Sequence, residues 1–303
     1  MKRRDFIKAS VAAGTAASLV SCSSFESKGK IDCHAHLWPE FPGHIPFHPA
    51  VRKEQVKPES FLAEDLMREG TPFGFKRFVL IQHNLFHGFD PSYLKYAAAK
   101  YPGHFAVVGS LDPDDEKLDR KMALDAGTVV SGYRVASKDK KDDWLTGKGQ
   151  DLLWKSAENF DQSVCLLRNR NVTLQSVLDK CKKFPATRVV VDHFGHVDFH
   201  DKKEVEVLWA LADLPNVYLK VSKFYGNGRK QPPYLDMLPF VEAVVKRFGT
   251  GRLMWGSDCP YQLTEPHNYR EAYEIINSKA AFLSVEDKKD LFVNTAEKVF
   301  FRG

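Results

Sequence analysis

Eight short apolar runs, separated by longer amphipathic stretches, constrain the fold of this chain more than any other feature. They span residues 30–37, 78–82, 105–111, 129–135, 163–167, 188–192, 217–222 and 252–256. Runs of Val, Ile, Leu and Phe without polar alternation describe strands buried on both faces, as in parallel sheets. The segments between them carry helix punctuation. Asp90-Pro91 places a cap and a first-turn proline before residues 93–101. Asp112-Pro113 precedes residues 115–126, which stop at Gly127, and Thr173 caps residues 174–183. Residues 203–214 follow, and residues 235–248 close at Gly249. Ser284-Val285-Glu286-Asp287 reads as a capping box before a C-terminal helix. Eight strands with helices between them predict an α/β fold, a single-domain (β/α)8 TIM barrel over residues 30–303. A doubly wound sheet would need a glycine-rich phosphate turn after the first strand, and His34-Ala35-His36-Leu37-Trp38-Pro39 offers none.

The first 21 residues stand apart from the fold. Arg3-Arg4-Asp5-Phe6-Ile7-Lys8 reads as a twin-arginine export signal. Residues 11–20 are too few, and too rich in Ala, Gly, Ser and Thr, for a membrane span. Leu19-Val20-Ser21-Cys22 resembles a lipoprotein cleavage box, which makes Cys22 the lipidated first residue of a polar tether over 22–29. The expectation is an exported, periplasmic or cell-envelope protein that meets a membrane only through Cys22. This leader carries +3 of the formal +5, and no Lys/Arg stripe remains, so nucleic acid is excluded as a partner. The five cysteines lack paired Cys-x-x-Cys spacing, and Cys33, Cys165 and Cys259 read as small core residues.

In such a barrel the chemistry lies at the C-terminal strand ends. Strand one ends at His34 and His36, two apart and therefore on one face of a strand. Strand two ends at Gln82 and His83, and strand four carries Arg134. Strand six ends at His193, strand seven carries Lys220 and Ser222, and strand eight ends at Asp258. Imidazoles with a carboxylate suit Zn²⁺ or another divalent ion. Such an ion polarises a carbonyl and lowers the pKa of bound water toward ~7. Asp258 is placed to serve as general base and then to pass the proton to a leaving group. The planar fork of Arg134 suits a substrate carboxylate, with a salt bridge across the barrel mouth as its other reading. Lys220 offers a point charge for an oxyanion or a second carboxylate. His83, His87, Arg168 and Ser222 complete the expected substrate-binding set, whereas His196 and His200 read as loop residues.

Lys30-Ile31-Asp32-Cys33-His34-Ala35-His36, Val191-Asp192-His193-Phe194-Gly195 and Arg252-Leu253-Met254-Trp255-Gly256-Ser257-Asp258-Cys259-Pro260 resemble the amidohydrolase superfamily. They are similar to its family-2 branch of barrel hydrolases, which includes sugar lactonases and 2-pyrone-4,6-dicarboxylate lactonase. Val217-Tyr218-Leu219-Lys220-Val221-Ser222 and Asn294-Thr295-Ala296 match in place and order, and His87-Gly88-Phe89-Asp90 resembles a loop of the pyrone lactonases. The resemblance implies that His34, His36 and His193 polarise a carbonyl directly or through one metal held with Asp258, and that Asp258 is the acid/base. Members of this branch that work without metal keep the same residues. Arg134 occupies the region of the superfamily's carbamylated lysine, and strand five ends at Arg168 without a histidine, which argues against a binuclear centre. Cys259 replaces the tryptophan usual after this aspartate.

The expected activity is lactone hydrolysis of an acidic or sugar-derived small molecule. A non-oxidative decarboxylase on the same barrel is the alternative enzyme, and a lipid-anchored binding protein the alternative class. Residues 39–54, 137–149 and 225–233 form the substrate-choosing loops but spell no readable code, and residues 138–143 read as a solvated charged loop.

Overall fold

The computed structural model describes residues 28–137, 143–170 and 172–302. The expected leader, most of the tether and most of the charged loop at 138–143 lie outside the described residues. Eight strands pair in parallel and in sequence order: β1 (Lys30–Ala35), β2 (Phe75–Ile81), β3 (Phe105–Gly109), β4 (Val130–Ala136), β5 (Ser163–Leu167), β6 (Val189–Val191), β7 (Val217–Ser222) and β8 (Leu253–Gly256). Ala35 and Cys259 bridge the first strand to the last and close the ring. Two rungs seal that seam: the His36 N–H donates to the Cys259 carbonyl, and the Asp258 N–H to the His34 carbonyl, both at 2.8 Å. The protein is a single-domain (β/α)8 barrel.

Helices α1 (Ala63–Gly70), α2 (Ser92–Lys100), α3 (Leu118–Asp125), α4 (Lys148–Asn159), α5 (Gln175–Lys183), α6 (Lys202–Ala212) and α7 (Leu238–Phe248) lie outside the strands. Local chemistry sets their ends. The Asp201 carboxylate accepts from the backbone N–H groups of Lys203 and Glu204 at the start of α6, and Ser284 and Asp287 cap each other as the sequence pattern implies. Helix α3 starts later than expected because the Asp112 and Asp115 side chains accept from the N–H groups of Asp114 and Lys117, at 3.1 and 2.9 Å, holding turns in place of helical rungs. Helices α1 and α4 were not expected from the sequence pattern.

Two apolar layers follow. Between strands and helices lies the larger core, with Trp38, Trp154 and Trp255 fully buried. Inside the barrel, Ile31, Cys33, Val79, Ile81, Cys165, Val190 and Met254 pack with Ala296, Val299 and Phe300 of the last helix, Thr295–Phe300. That helix plugs the barrel interior. Cys33, Cys165, Cys181 and Cys259 are all buried free thiols.

The closing seam is tight. A Cβ on Gly256 would lie 2.8 Å from the His34 Cβ and 2.9 Å from the His34 N. Gly256→Ala should therefore cost about 1–3 kcal/mol in urea unfolding and lower turnover by shifting His34. An unchanged midpoint with unchanged turnover would show that the seam yields freely.

Candidate active site

Four strand ends converge on one carboxylate. Asp258 Oδ1 lies 3.3 Å from His36 Nε2 and 3.5 Å from His34 Nε2, while Oδ2 lies 3.7 Å from His193 Nε2. The Tyr225 hydroxyl donates to Oδ2 at 2.6 Å. A register shift in β1 between Asp32 and Ala35 brings His34 into this group after Cys33 has faced the barrel interior. His193, Lys223 and Asp258, at the ends of β6, β7 and β8, all adopt left-handed backbone (φ 54°, 60° and 64°). Such strain in non-glycine residues is held by its surroundings and gathers at functional sites.

Each imidazole is oriented from behind. His36 Nδ1 donates to the Ile81 carbonyl at 2.7 Å, and its Nε2 faces a carboxylate oxygen. That arrangement needs positive charge between the two, a proton or a metal ion. His193 Nδ1 bonds the Ser222 hydroxyl at 2.8 Å. His34 Nδ1 lies 3.1 Å from Lys220 Nζ and 3.4 Å from Asp192 Oδ1, and its buried Nε2 has no hydrogen-bond partner among the described residues. Donor atoms of His34, His193 and Asp258 lie within 4.8 Å of one another. Tetrahedral zinc with bonds of about 2.1 Å would space its ligands about 3.4 Å apart, close to the separations found here. The donor set fits one divalent ion.

Electrostatics keep the carboxylate charged and the His34, His193 and His83 rings neutral. Burial works to raise the Asp258 carboxyl, but the facing His193, His36 and His34 outweigh it and hold it well below the usual range. Burial, aided by Lys220, pushes His34 down to about 3, and burial also holds His193 well below its ordinary value. His83 falls to about 2 through burial and the neighbouring His36 and Arg134.

The structure places the expected substrate-binding residues in two groups. His83 and Arg134 line a cavity of about 240 Å³ over Asp258, together with His36, Leu167, His193, Lys223, Tyr225 and Tyr261. Lys220 does not reach it. It is fully buried one layer down, paired with Asp192 Oδ1 at 3.0 Å. Ser222 serves His193. All five N–H groups of Arg168 are taken, by the carbonyls of Val172, Gly195 and His196 and by Glu204, so none is left for a ligand. His87 donates Nε2 to the Leu37 carbonyl at 3.1 Å and stacks between Phe47 and Tyr93, so it supports the loop. Arg134 takes up its salt-bridge reading, with NH2 3.5 Å from Asp192 Oδ2, and it also lines the cavity over Asp258. Lys223, Tyr225 and Tyr261 were missed, although each lies within three residues of a strand end or of Asp258. The Tyr261 hydroxyl bonds His83 Nε2 at 2.6 Å.

The sequence model of the amidohydrolase family, Amidohydro_2, matches residues 31–302. The chain belongs to the amidohydrolase family. It is 27% identical over 246 residues to an L-fucono-1,5-lactonase of Burkholderia ambifaria, covering 78% of this chain and 82% of that one. A 4-sulfomuconolactone hydrolase of Rhizobium radiobacter is 23% identical over 261 residues, 84% of each chain. Among solved structures, a Pseudomonas putida protein assigned as a 2-pyrone-4,6-dicarboxylic acid hydrolase superposes with a TM-score of 0.73 at 25% identity, over 90% of this chain and 97% of that one. As an amidohydrolase barrel this one carries an arginine, Arg134, on β4 and no histidine at the end of β5.

Neutral buried imidazoles give stability a definite pH dependence. Against an ordinary 6.5, His34, His83 and His196 are held at about 3, 2 and 4. Below pH 6.5 the unfolded chain binds protons that the folded one refuses, so stability falls as pH drops toward 4, by about 1.4 kcal/mol per pH unit per histidine. His83→Gln should make the fall of Tm between pH 6.5 and 4 shallower. An unchanged slope would mean that His83 is already protonated in the folded protein.

Proposed function

We propose that this chain hydrolyses a lactone bearing an anionic group, with Asp258 as the general acid/base. The observation that carries the reading is a single ionised carboxylate, faced by three imidazoles, beneath a pocket whose other charged side chains are Arg134 and Lys223. Asp192 must serve both Lys220 and Arg134, and Lys223 has no ion-pair partner among the described residues. The site is thus short of negative charge, which an anionic substrate supplies. The activities of the relatives support the same reading, since all three named above act on, or are assigned to, cyclic esters.

A divalent ion held by His34, His193 and Asp258, with His36 beside them, would supply carbonyl polarisation and a more acidic water. The chain's own residues do the rest. Asp258, a base at neutral pH, takes a proton from water as the oxygen adds to the ester carbonyl carbon. Tyr225 keeps its hydroxyl proton, because burial and the adjacent Asp258 raise its pKa, and so it anchors the carboxylate as a donor. The Asp258 carboxyl then returns the proton to the ring oxygen as the carbon–oxygen bond breaks, releasing a hydroxy acid. Arg134 and Lys223 hold the anionic group and fix which ring carbonyl faces Asp258.

Acid release should be measured from pyrone-4,6-dicarboxylate lactone and from L-fucono-1,5-lactone. Asp258→Asn should lower turnover by about 10³-fold or more with near-wild-type Tm. Lys223→Ala should raise KM for the dicarboxylate about tenfold and leave the neutral sugar lactone unaffected. Full activity in Asp258→Asn, or CO₂ release in place of acid, would overturn the mechanism, and the latter would favour the decarboxylase reading.

The Arg3-Arg4 pair and the box ending at Cys22 support an exported enzyme tethered by lipid. Cys22→Ser should then move the protein from the membrane to the soluble fraction of lysed cells. Unchanged partition would remove the anchor.

A further inference from the structure

The wall of the catalytic pocket beside His36 holds a hydrogen-bonded pair to which the mechanism gives no task. The Tyr261 hydroxyl lies 2.6 Å from His83 Nε2, and both side chains line the cavity over Asp258. Resting on the lactonase reading, we infer that Tyr261 is a catalytic residue. Its O–H donates to the ester carbonyl oxygen as that oxygen takes up negative charge, while His83 donates to the phenol oxygen from behind.

Which partner donates in the His83–Tyr261 bond decides whether Tyr261 has a proton to offer. The neutral His83 ring carries a single N–H. Its Nδ1 is sealed from solvent and has no hydrogen-bond partner among the described residues. The ring stacks on Phe86, with centroids 4.3 Å apart, and packs against Trp38 at 5.7 Å. A proton on Nδ1 would be a buried N–H without an acceptor, and such orphans are rare in folded proteins. A proton on Nε2 leaves only a lone pair at Nδ1 and makes the 2.6 Å contact a bond from His83 to the Tyr261 oxygen. A phenol oxygen that accepts this bond keeps its own O–H free to donate. That proton also stays in place at neutral pH. Burial and the neighbouring Asp258 raise Tyr261 above the ordinary phenol value of about 10, and Arg134 opposes them more weakly.

Elimination within the pocket points to the same group. Arg134 and Lys223 hold the anionic group. Tyr225 spends its proton on Asp258 Oδ2, and His36 Nδ1 donates to the Ile81 carbonyl. His193 Nδ1 is engaged with Ser222, and the Nε2 atoms of both rings face Asp258. Among the described residues lining the cavity, Tyr261 is the neutral donor left free. The hydrolytic step needs one. As water loses a proton to Asp258 and bonds to the carbonyl carbon, the carbonyl π pair moves onto oxygen. A donor already fixed there stabilises that charge without reorganising. The pair returns when the ring carbon–oxygen bond breaks and Asp258 protonates the leaving oxygen. The Tyr261 proton is therefore shared through a hydrogen bond and never transferred.

The test uses the full-length protein and whichever of the two lactones above it opens faster. Tyr261→Phe, which deletes one oxygen atom, should lower kcat about 10²-fold with KM within about threefold and Tm near that of the wild type. Replacing the carbonyl oxygen of the lactone by sulfur, a weak acceptor, reads the contact directly. The ratio of oxo to thiono rates should be about tenfold larger in the wild type than in Tyr261→Phe. The folded wild type gives a further readout: the ¹⁵N shifts of its labelled histidines, assigned with His83→Gln, should show the Nε2–H tautomer at His83. A kcat within about threefold of wild type in Tyr261→Phe would overturn the role. So would a raised KM at unchanged kcat, an equal oxo-to-thiono ratio in the two proteins, or an Nδ1–H tautomer. Each of these overturns Tyr261 and keeps the lactonase. A wild type that opens neither lactone fails the lactonase reading, and this role falls with it.

Discussion

The Asp192 carboxylate, sealed inside the barrel mouth, is the interaction on which the site depends. It lies 3.0 Å from Lys220, 3.4 Å from His34 Nδ1 and 3.5 Å from Arg134. Burial alone would favour its neutral form, yet Lys220, His34 and Arg134 hold it well below the usual carboxylate range. Burial likewise opposes the charge on Lys220, and Asp192 more than offsets this. Removing one member of such a buried group leaves uncompensated charge, at a cost of about 3–5 kcal/mol. The same carboxylate decides what each cation can do. Lys220 is consumed by the pair and sits beneath the imidazoles, whereas Arg134 gives it one end and also lines the cavity over Asp258.

Depth is what periodicity cannot convey. The strands were legible because barrel strands are buried on both faces and show as unbroken apolar runs. The clustered histidines and Asp258 were legible because they close those runs. Along β7, Tyr218, Lys220 and Ser222 all face the interior, but each lies one pleat, roughly 6.6 Å, above the last. Sequence spacing marks Lys220 as inward-facing without showing that the mouth lies higher. Arg168 follows β5 directly, and only the fold reveals that neighbouring carbonyls and Glu204 take its whole donor set.

Other misses arise where packing overrides local preference. Residues 137–149 read as a loop, yet α4 begins within them at Lys148. A Cβ at Gly149 would sit 1.7 Å from the Pro113 carbonyl oxygen, so glycine permits the helix to approach the loop after β3. The weak helix former is a requirement of contact, and Leu153, Trp154 and Ala157 then bury the helix's inner face. Residues 137–149 carried no readable code for a related reason. Asp143 and Trp144 meet Asp112 and Arg134 around one cavity only when the fold brings the loops together.

Lys223 and Tyr225 belong to a last class, side chains aimed by strain. A left-handed residue at the end of β6, β7 and β8 turns the chain sharply as it leaves the sheet, and no alternation rule predicts where the next side chain points. Each such residue costs of order 1 kcal/mol and persists only where neighbours over-determine it. At Asp258 the neighbours are the barrel seam itself. Its N–H is held by the His34 carbonyl, and the N–H of Ser257 by Asp32, whose other oxygen accepts from Tyr269. Asp32 also accepts from the N–H of His34, so one buried side chain ties the strands that carry Asp258 and His34. Closure of the barrel and alignment of the imidazoles with Asp258 are therefore a single event.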